Sequence, residues 1–148
     1  MKDKKKYDIL IVDDDKFLLD MYAVKFAESD FNVYTALSSQ DALDTLKNQQ
    51  EKSQIDVVLL DIVMPGMDGF ELLGKIKKVN FNKNIFVIML SNLGQESDVK
   101  KAIDAGSDGY IIKANSTPTE VVEKVLAILS GKKSTVSREK SKSVDDNK

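Results

Sequence analysis

The residues able to do chemistry stand where short apolar runs end. Asp13, Asp14 and Asp15 follow Ile9-Leu10-Ile11-Val12, and Asp61 follows Val57-Val58-Leu59-Leu60. Ser91 and Asn92 follow Ile85-Phe86-Val87-Ile88-Met89-Leu90, and Lys113 follows Tyr110-Ile111-Ile112. If those runs are strands of one sheet, the polar groups gather along a single edge. Two carboxylates about 4 Å apart repel by roughly 4 kcal/mol at an effective dielectric near 20, so Asp13, Asp14 and Asp61 together call for protons or a cation. The chain contains no histidine and no cysteine. Hard carboxylate oxygens alone suit Mg²⁺ (or Mn²⁺), which keeps several waters and favours a few protein ligands plus phosphate oxygens. A cation there makes a carboxylate nucleophile workable, because it offsets charge on the attacking oxygen and on an incoming phosphoryl group. Lys113 could hold another phosphoryl oxygen as a compact positive charge, and Ser91 could donate a hydrogen bond to a third. Phosphoryl transfer onto Asp61 is the reaction that uses the whole set. Taken singly, each residue has a simpler role. The aspartate triplet could cap a helix, Ser91 could be a turn hydroxyl, and Lys113 a solvated lysine. The convergence of four strand ends carries the reading.

The elements that must position these groups are legible. The four apolar runs have the length and β-branched content of strands buried on both faces, as in a parallel sheet. A fifth candidate, Asn32-Val33-Tyr34-Thr35-Ala36, is more polar and alternates, as an edge strand would. Helical patterns lie between. The first, residues 16–28, has Phe17, Leu18, Met21, Val24 and Phe26 as its apolar members. The second covers residues 39–48, where Ser38 with Asp41 resembles a capping box. The third starts near Gly69 with Phe70, Leu72, Leu73 and Ile76, and the fourth, residues 95–104, is weakly apolar and expected to be comparatively exposed. The fifth is the clearest, with Thr117 at N-cap, Pro118 at N1, Glu120 at N3, and then Val121, Val122, Val125, Leu126, Ile128 and Leu129. Pro65-Gly66 and Asp68-Gly69 read as turn chemistry with no further role. β-α repeated five times predicts an α/β fold, an open, doubly wound parallel sheet with helices on both faces.

Composition bounds the rest. The chain has 148 residues, enough for one domain with a sizeable core. Its formal net charge of −2 is uneven: from Lys132 onward six Lys or Arg against three Asp or Glu leave +3, so the remainder carries −5. An acidic body argues against a nucleic-acid surface. No apolar run approaches the ~20 residues of a membrane-spanning helix, and the short run after the N-terminal lysines is cut off by Asp13, which does not fit a signal peptide. A cytoplasmic location is the expectation, with residues 1–131 as the domain and 132–148 as a charged, disordered tail.

At this point the sequence resembles the receiver domain of two-component response regulators. The likeness runs over about residues 7–130. It rests on Ile9-Leu10-Ile11-Val12-Asp13-Asp14-Asp15, on Leu59-Leu60-Asp61-Ile62-Val63-Met64-Pro65-Gly66-Met67-Asp68-Gly69, on Met89-Leu90-Ser91, and on Gly106 through Lys113. It implies a flavodoxin-like (βα)5 sheet of strand order 2-1-3-4-5 and a single-domain phospho-acceptor switch of a two-component system or phosphorelay. By position, Asp61 would be phosphorylated. Asp14 would bind Mg²⁺ directly and Asp13 largely through water, and the Val63 backbone carbonyl would be a further ligand. Ser91 would be the switch hydroxyl, Lys113 the ion-pair partner of the phosphoryl group, and Tyr110 the switch aromatic. An amphipathic strand aromatic is the simpler reading of Tyr110.

The resemblance also implies partners. With no histidine on the chain, a histidine kinase or histidine phosphotransfer protein would supply the phosphoryl group. The output would be binding of a protein effector through the face of helix four, strand five and helix five, and homodimerisation on phosphorylation is a further expectation. No enzymatic activity is implied beyond self-phosphorylation from a donor and autodephosphorylation. Three departures stand out. Asn92 replaces the usual small residue after the switch hydroxyl and could narrow access for donors. Ala114 replaces the usual proline after the lysine; a non-prolyl cis bond costs about 2.5–4 kcal/mol, so a trans bond and an altered loop are expected. Val63 and Leu93, at positions that tune phosphoryl lifetime, are both apolar. Competing readings are a haloacid-dehalogenase type of enzyme, disfavoured because Val63 stands where its acid-base Asp would be, a non-phosphorylated interaction module on the same fold, and the N-terminal part of a longer regulator.

Overall fold

Alternate residues of the central strands pack on opposite faces of one sheet. Leu10 and Val12 join one buried cluster, and Ile9 and Ile11 join the other. That period of two, with both faces buried, is what continuous apolar runs require. The computed structural model describes residues 7–49, 55–78 and 85–131; the expected tail, 132–148, lies outside the described residues. The strands are β1 (Tyr7–Val12), β2 (Phe31–Ala36), β3 (Val57–Leu60), β4 (Phe86–Ser91) and β5 (Gly109–Ile112). All pair in parallel, in the order β2-β1-β3-β4-β5. This is the flavodoxin-like order the sequence implied.

Five helices cover the sheet: α1 (Lys16–Glu28), α2 (Ser39–Gln49), α3 (Gly69–Lys78), α4 (Glu96–Asp104) and α5 (Pro118–Leu129). Leu46, Leu72, Leu73, Ile76 and Ala102 bring α2, α3 and α4 onto one face. Leu19, Phe26, Val121 and Val125 bring α1 and α5 onto the other. Fully burying a side chain such as Leu60 or Leu72 is worth about 1.5–3 kcal/mol, so a charge at either position would disrupt the fold. No helix of the described residues is long and apolar enough to cross a membrane.

Local signals behave as expected at α5, where the Thr117 side chain accepts from the Glu120 amide and Glu120 reciprocates to the Thr117 amide. The Ser38 hydroxyl likewise accepts from the Asp41 amide at the start of α2. Helix α4 buries only Ala102, in line with its weak apolar character. Helix α1 departs from the sequence reading. Its buried stripe is Leu19, Tyr22 and Phe26, whereas Phe17 and Val24 are 79% and 58% exposed. Residues 19, 22 and 26 follow the i, i+3, i+7 spacing of one helical face, and residues 17 and 24 follow the same spacing on another. With two apolar stripes available, the sheet decides which is covered. Edge strand β5 also departs from an amphipathic pattern, because all four of its residues are buried.

Candidate functional site

Register delivers the carboxylates to one edge. Val12 pairs with Leu60, so Asp13 and Asp61 leave their strands side by side. Backbone bonds hold both there: the Asp61 amide donates to the Val12 carbonyl (3.1 Å), and the Asp13 amide donates to the Ala36 carbonyl (3.2 Å). Ser91 pairs with Ile112, which sets Lys113 one residue beyond the end of β5. The chain then turns through a 3-10 segment, Lys113–Asn115, and the Lys113–Ala114 peptide is trans.

The charged groups meet directly. Lys113 Nζ donates to Asp13 Oδ2 at 2.9 Å and to Asp61 Oδ2 at 3.3 Å. Asp13 Oδ1 accepts from the Asp15 amide at 2.9 Å, and Asp61 Oδ1 accepts from the Ile62 amide at 2.7 Å. Asp13 and Asp61 are buried and Asp14 is exposed; one oxygen from each of the three lies within 4.8 Å of the others. Asp15 caps α1, accepting from the Phe17 and Leu18 amides, so within the triplet the capping role belongs to the third aspartate. Burial pushes the Asp61 carboxyl above the usual carboxylate range; the Lys113 charge opposes this and the Asp13 charge adds to it. For Lys113, burial works to depress the ammonium, but the Asp13 hydrogen bond and the charges of Asp61 and Asp13 outweigh it and hold the group above its ordinary value. Such an arrangement can present a carboxylate oxygen between a fixed positive charge and a second carboxylate.

The other candidates stand nearby in different postures. Ser91 is buried and its Oγ accepts from the Leu93 amide at 3.3 Å. Tyr110 is fully buried and its hydroxyl donates to the Leu93 carbonyl at 2.6 Å. Those two side chains therefore hold the two ends of one residue in the loop after β4. The Val63 side chain is 61% exposed beside the acidic edge, and Asn92 is exposed.

Two contacts escaped the sequence reading. Gly69 is more than turn chemistry: its amide donates to the Ile62 carbonyl at 2.8 Å, and a Cβ there would fall on the Asp61 carbonyl oxygen and lie 2.6 Å from Ile62 Cα. The Asp-Gly pair was the available signal, but what it approaches is set by the return of the loop. Ser39 Oγ donates to the Met67 carbonyl at 2.8 Å, a contact with no local signature.

Comparisons with known proteins agree with the fold. The family model described as response regulator receiver domain matches residues 9–126. The chain is 34% identical over 111 residues to a chemotaxis protein CheY of Halobacterium salinarum, covering 75% of this chain and 88% of that one. It is 36% identical over 119 residues to the heme response regulator HssR of Staphylococcus aureus, covering 80% of this chain and 48% of that protein. Among solved structures, the CheX-CheY-BeF3-Mg complex of Borrelia burgdorferi aligns with a TM-score of 0.73 at 36% identity, covering 82% of this chain and 88% of that one. A CheY-like receiver domain of Methanospirillum hungatei aligns with a TM-score of 0.72 at 28% identity, covering 85% and 95%.

Proposed function

The chain belongs to the response regulator receiver domain family, whose members are phosphorylation-dependent signalling switches, and on that premise we propose that Asp61 is the phosphoryl acceptor of a Mg²⁺-assisted transfer. The observation that carries the reading is the placement of Asp61 Oδ2 within reach of Lys113, beside Asp13. The donor set fits the metal: three carboxylates converge with no nitrogen or sulfur ligand among them. Asp13, Asp14 and Asp61 would hold the ion, with the Val63 carbonyl as a further ligand. When bound, Mg²⁺ supplies positive charge that favours ionised Asp61 and offsets charge on the phosphoryl oxygens.

The chain's own groups do the rest. An Asp61 carboxylate oxygen attacks phosphorus, the bond from phosphorus to the donor breaks, and the donor departs with the electron pair. Lys113 then pairs with a phosphoryl oxygen while keeping Asp13 as its second partner. The Ser91 hydroxyl donates a hydrogen bond to another oxygen. Since Ser91 and Tyr110 both bond to Leu93, movement of the hydroxyl is felt by the loop leading into α4. The output face in this reading is α4, β5 and α5, supported by the exposure of most of α4.

The donor is a histidine kinase or a histidine phosphotransfer protein, consistent with the absence of histidine from the chain. The phosphorylated form engages a protein effector, and homodimerisation and a cytoplasmic location belong to the same proposal. The Borrelia CheY is in complex with CheX, BeF3 and Mg; trifluoroberyllate has the shape and charge of a phosphoryl group. In this role the chain is a switch and not an enzyme acting on a separate substrate. The test is incubation with Mg²⁺ and acetyl phosphate followed by intact-mass measurement. One phosphoryl adduct is expected, absent in Asp61→Asn. An adduct that persists in Asp61→Asn, or none from acetyl phosphate or a histidine donor, overturns the assignment.

A further inference from the structure

The loop that carries Asp61 and Val63 into α3 is tethered at several points. Its end returns to its beginning through the Gly69–Ile62 hydrogen bond. In its middle, the Met64 side chain is buried in the core beneath α2 and α3. Asp68 and Glu71 form a reciprocal capping box, the Asp68 amide donating to Glu71 Oε1 at 3.1 Å and the Glu71 amide to Asp68 Oδ1 at 3.0 Å. Residues 68–71 therefore move as one block, and that block bears on the Asp61 backbone through Gly69.

The loop also contacts α2, one residue before the block. Ser39 is only 3% exposed, and its hydroxyl donates to the Met67 carbonyl across 28 residues of sequence, at 2.8 Å. Starting α2 does not require that hydroxyl, because Ser38 already receives the Asp41 amide. A buried hydroxyl needs a partner, and this one takes it from the acceptor loop, one residue before the capping box. We propose that Ser39 is a positioning residue for phosphoryl transfer. Its hydroxyl anchors the Met67 carbonyl, the anchor fixes the block 68–71, and the block holds the Asp61 and Ile62 backbone at the angle that the acceptor requires. This rests on the reading of Asp61 as acceptor.

The experiment compares wild type, Ser39→Ala, Ser39→Gly and, as a control near the amino-terminal ends of the strands, away from the site, Asn32→Ala, which removes the Asn32–Asp8 hydrogen bond. Two quantities are read. One is the backbone resonance of the Asp68 amide, which belongs to the same peptide as the Met67 carbonyl, together with hydrogen exchange of the Gly69 amide. The other is the rate of adduct formation with acetyl phosphate at saturating Mg²⁺. Both Ser39 variants are expected to shift the Asp68 resonance, speed Gly69 exchange, and slow phosphorylation roughly three- to tenfold, the scale of sub-ångström misplacement of a reacting group. Asn32→Ala is expected to lose stability while keeping the wild-type rate. A wild-type rate in the Ser39 variants overturns the inference, as does slowing without any change at Asp68 and Gly69, or equal slowing in Asn32→Ala. If wild type forms no adduct with acetyl phosphate or with a histidine donor, the acceptor reading falls and this inference with it. An adduct on wild type beside unchanged Ser39 variants removes this inference alone.

Discussion

Lys113 and Asp13 stand 100 residues apart in the chain, and their side chains meet at 2.9 Å. The same ammonium reaches Asp61 at 3.3 Å, so one lysine from the end of β5 bridges carboxylates from the ends of β1 and β3. The pair is buried on both sides, where losing one partner costs more than the pair itself contributes. Lys113 thus holds the acidic edge together in the resting protein and remains placed for a phosphoryl oxygen.

Replacing Lys113 by Met is expected to destabilise the protein by about 3 kcal/mol at pH 7, the scale of a broken buried pair. Asp61 already lies above the ordinary carboxylate range, chiefly through burial, and would rise further without Lys113. A raised folded value contributes stability that is complete below the unfolded value and is lost as pH rises through the folded one. The deficit of Lys113→Met should therefore narrow as pH falls from 7 toward 4.5, and excess Mg²⁺ at pH 7 should restore part of it. Urea unfolding at the two pH values checks this; a deficit that grows on acidification contradicts it.

Gly69→Ala should be the costlier of two glycine substitutions. Its Cβ would meet the backbone of Asp61 and Ile62, which cannot step aside. At Gly109 the obstacle is Ile128 Cδ1, 2.5 Å away at the end of a side chain that can rotate. The expected loss is about 1–3 kcal/mol for Gly69→Ala and less for Gly109→Ala. Phosphorylation should slow only in the first. Chemical denaturation with acetyl-phosphate kinetics on the same preparations tests both halves.

Tyr110 should titrate late. Burial, then the charges of Asp98 and Asp61, push its phenol up to about 12 from 10.0. A folded value above the unfolded one gives a contribution complete below pH 10 and lost between there and about 12, at a slope near 1.4 kcal/mol per pH unit. Tyrosinate absorbance in wild type against Tyr110→Phe isolates the step. A Tyr110 transition at the ordinary value would contradict the burial argument and the hydrogen bond to Leu93.

Val63→Asn is expected to shorten the lifetime of the phosphorylated protein several-fold, since an apolar side chain two residues after Asp61 offers an attacking water no hydrogen bond, whereas an amide can orient it. Val63 is 61% exposed, so the substitution should leave stability nearly unchanged. Following the decay of the phosphoryl adduct by intact mass gives the comparison, and identical decay would remove Val63 from that role.

Most of the fold was legible because each central strand is an unbroken apolar run ended by a polar residue. That pattern alone located Asp13, Asp61, Ser91 and Lys113 at one edge. The α1 face was not legible, because two apolar stripes share the helix and periodicity cannot rank them. The simpler capping role offered for the aspartate triplet turned out to belong to Asp15 alone.

The sequence by itself determined which groups reach the edge: strand alternation, turn residues and caps are local, and each acts within a few residues. Only the tertiary structure decided how those groups engage one another. That Lys113 joins Asp13 and Asp61 follows from the order in which five strands pair. That Ser39 holds Met67 follows from α2 and α3 sharing one face of the sheet, and that Gly69 lies against the Asp61 backbone follows from the return of the loop between β3 and α3. Contacts spanning tens of residues exist only once loop closure has been offset by the burial of both sheet faces.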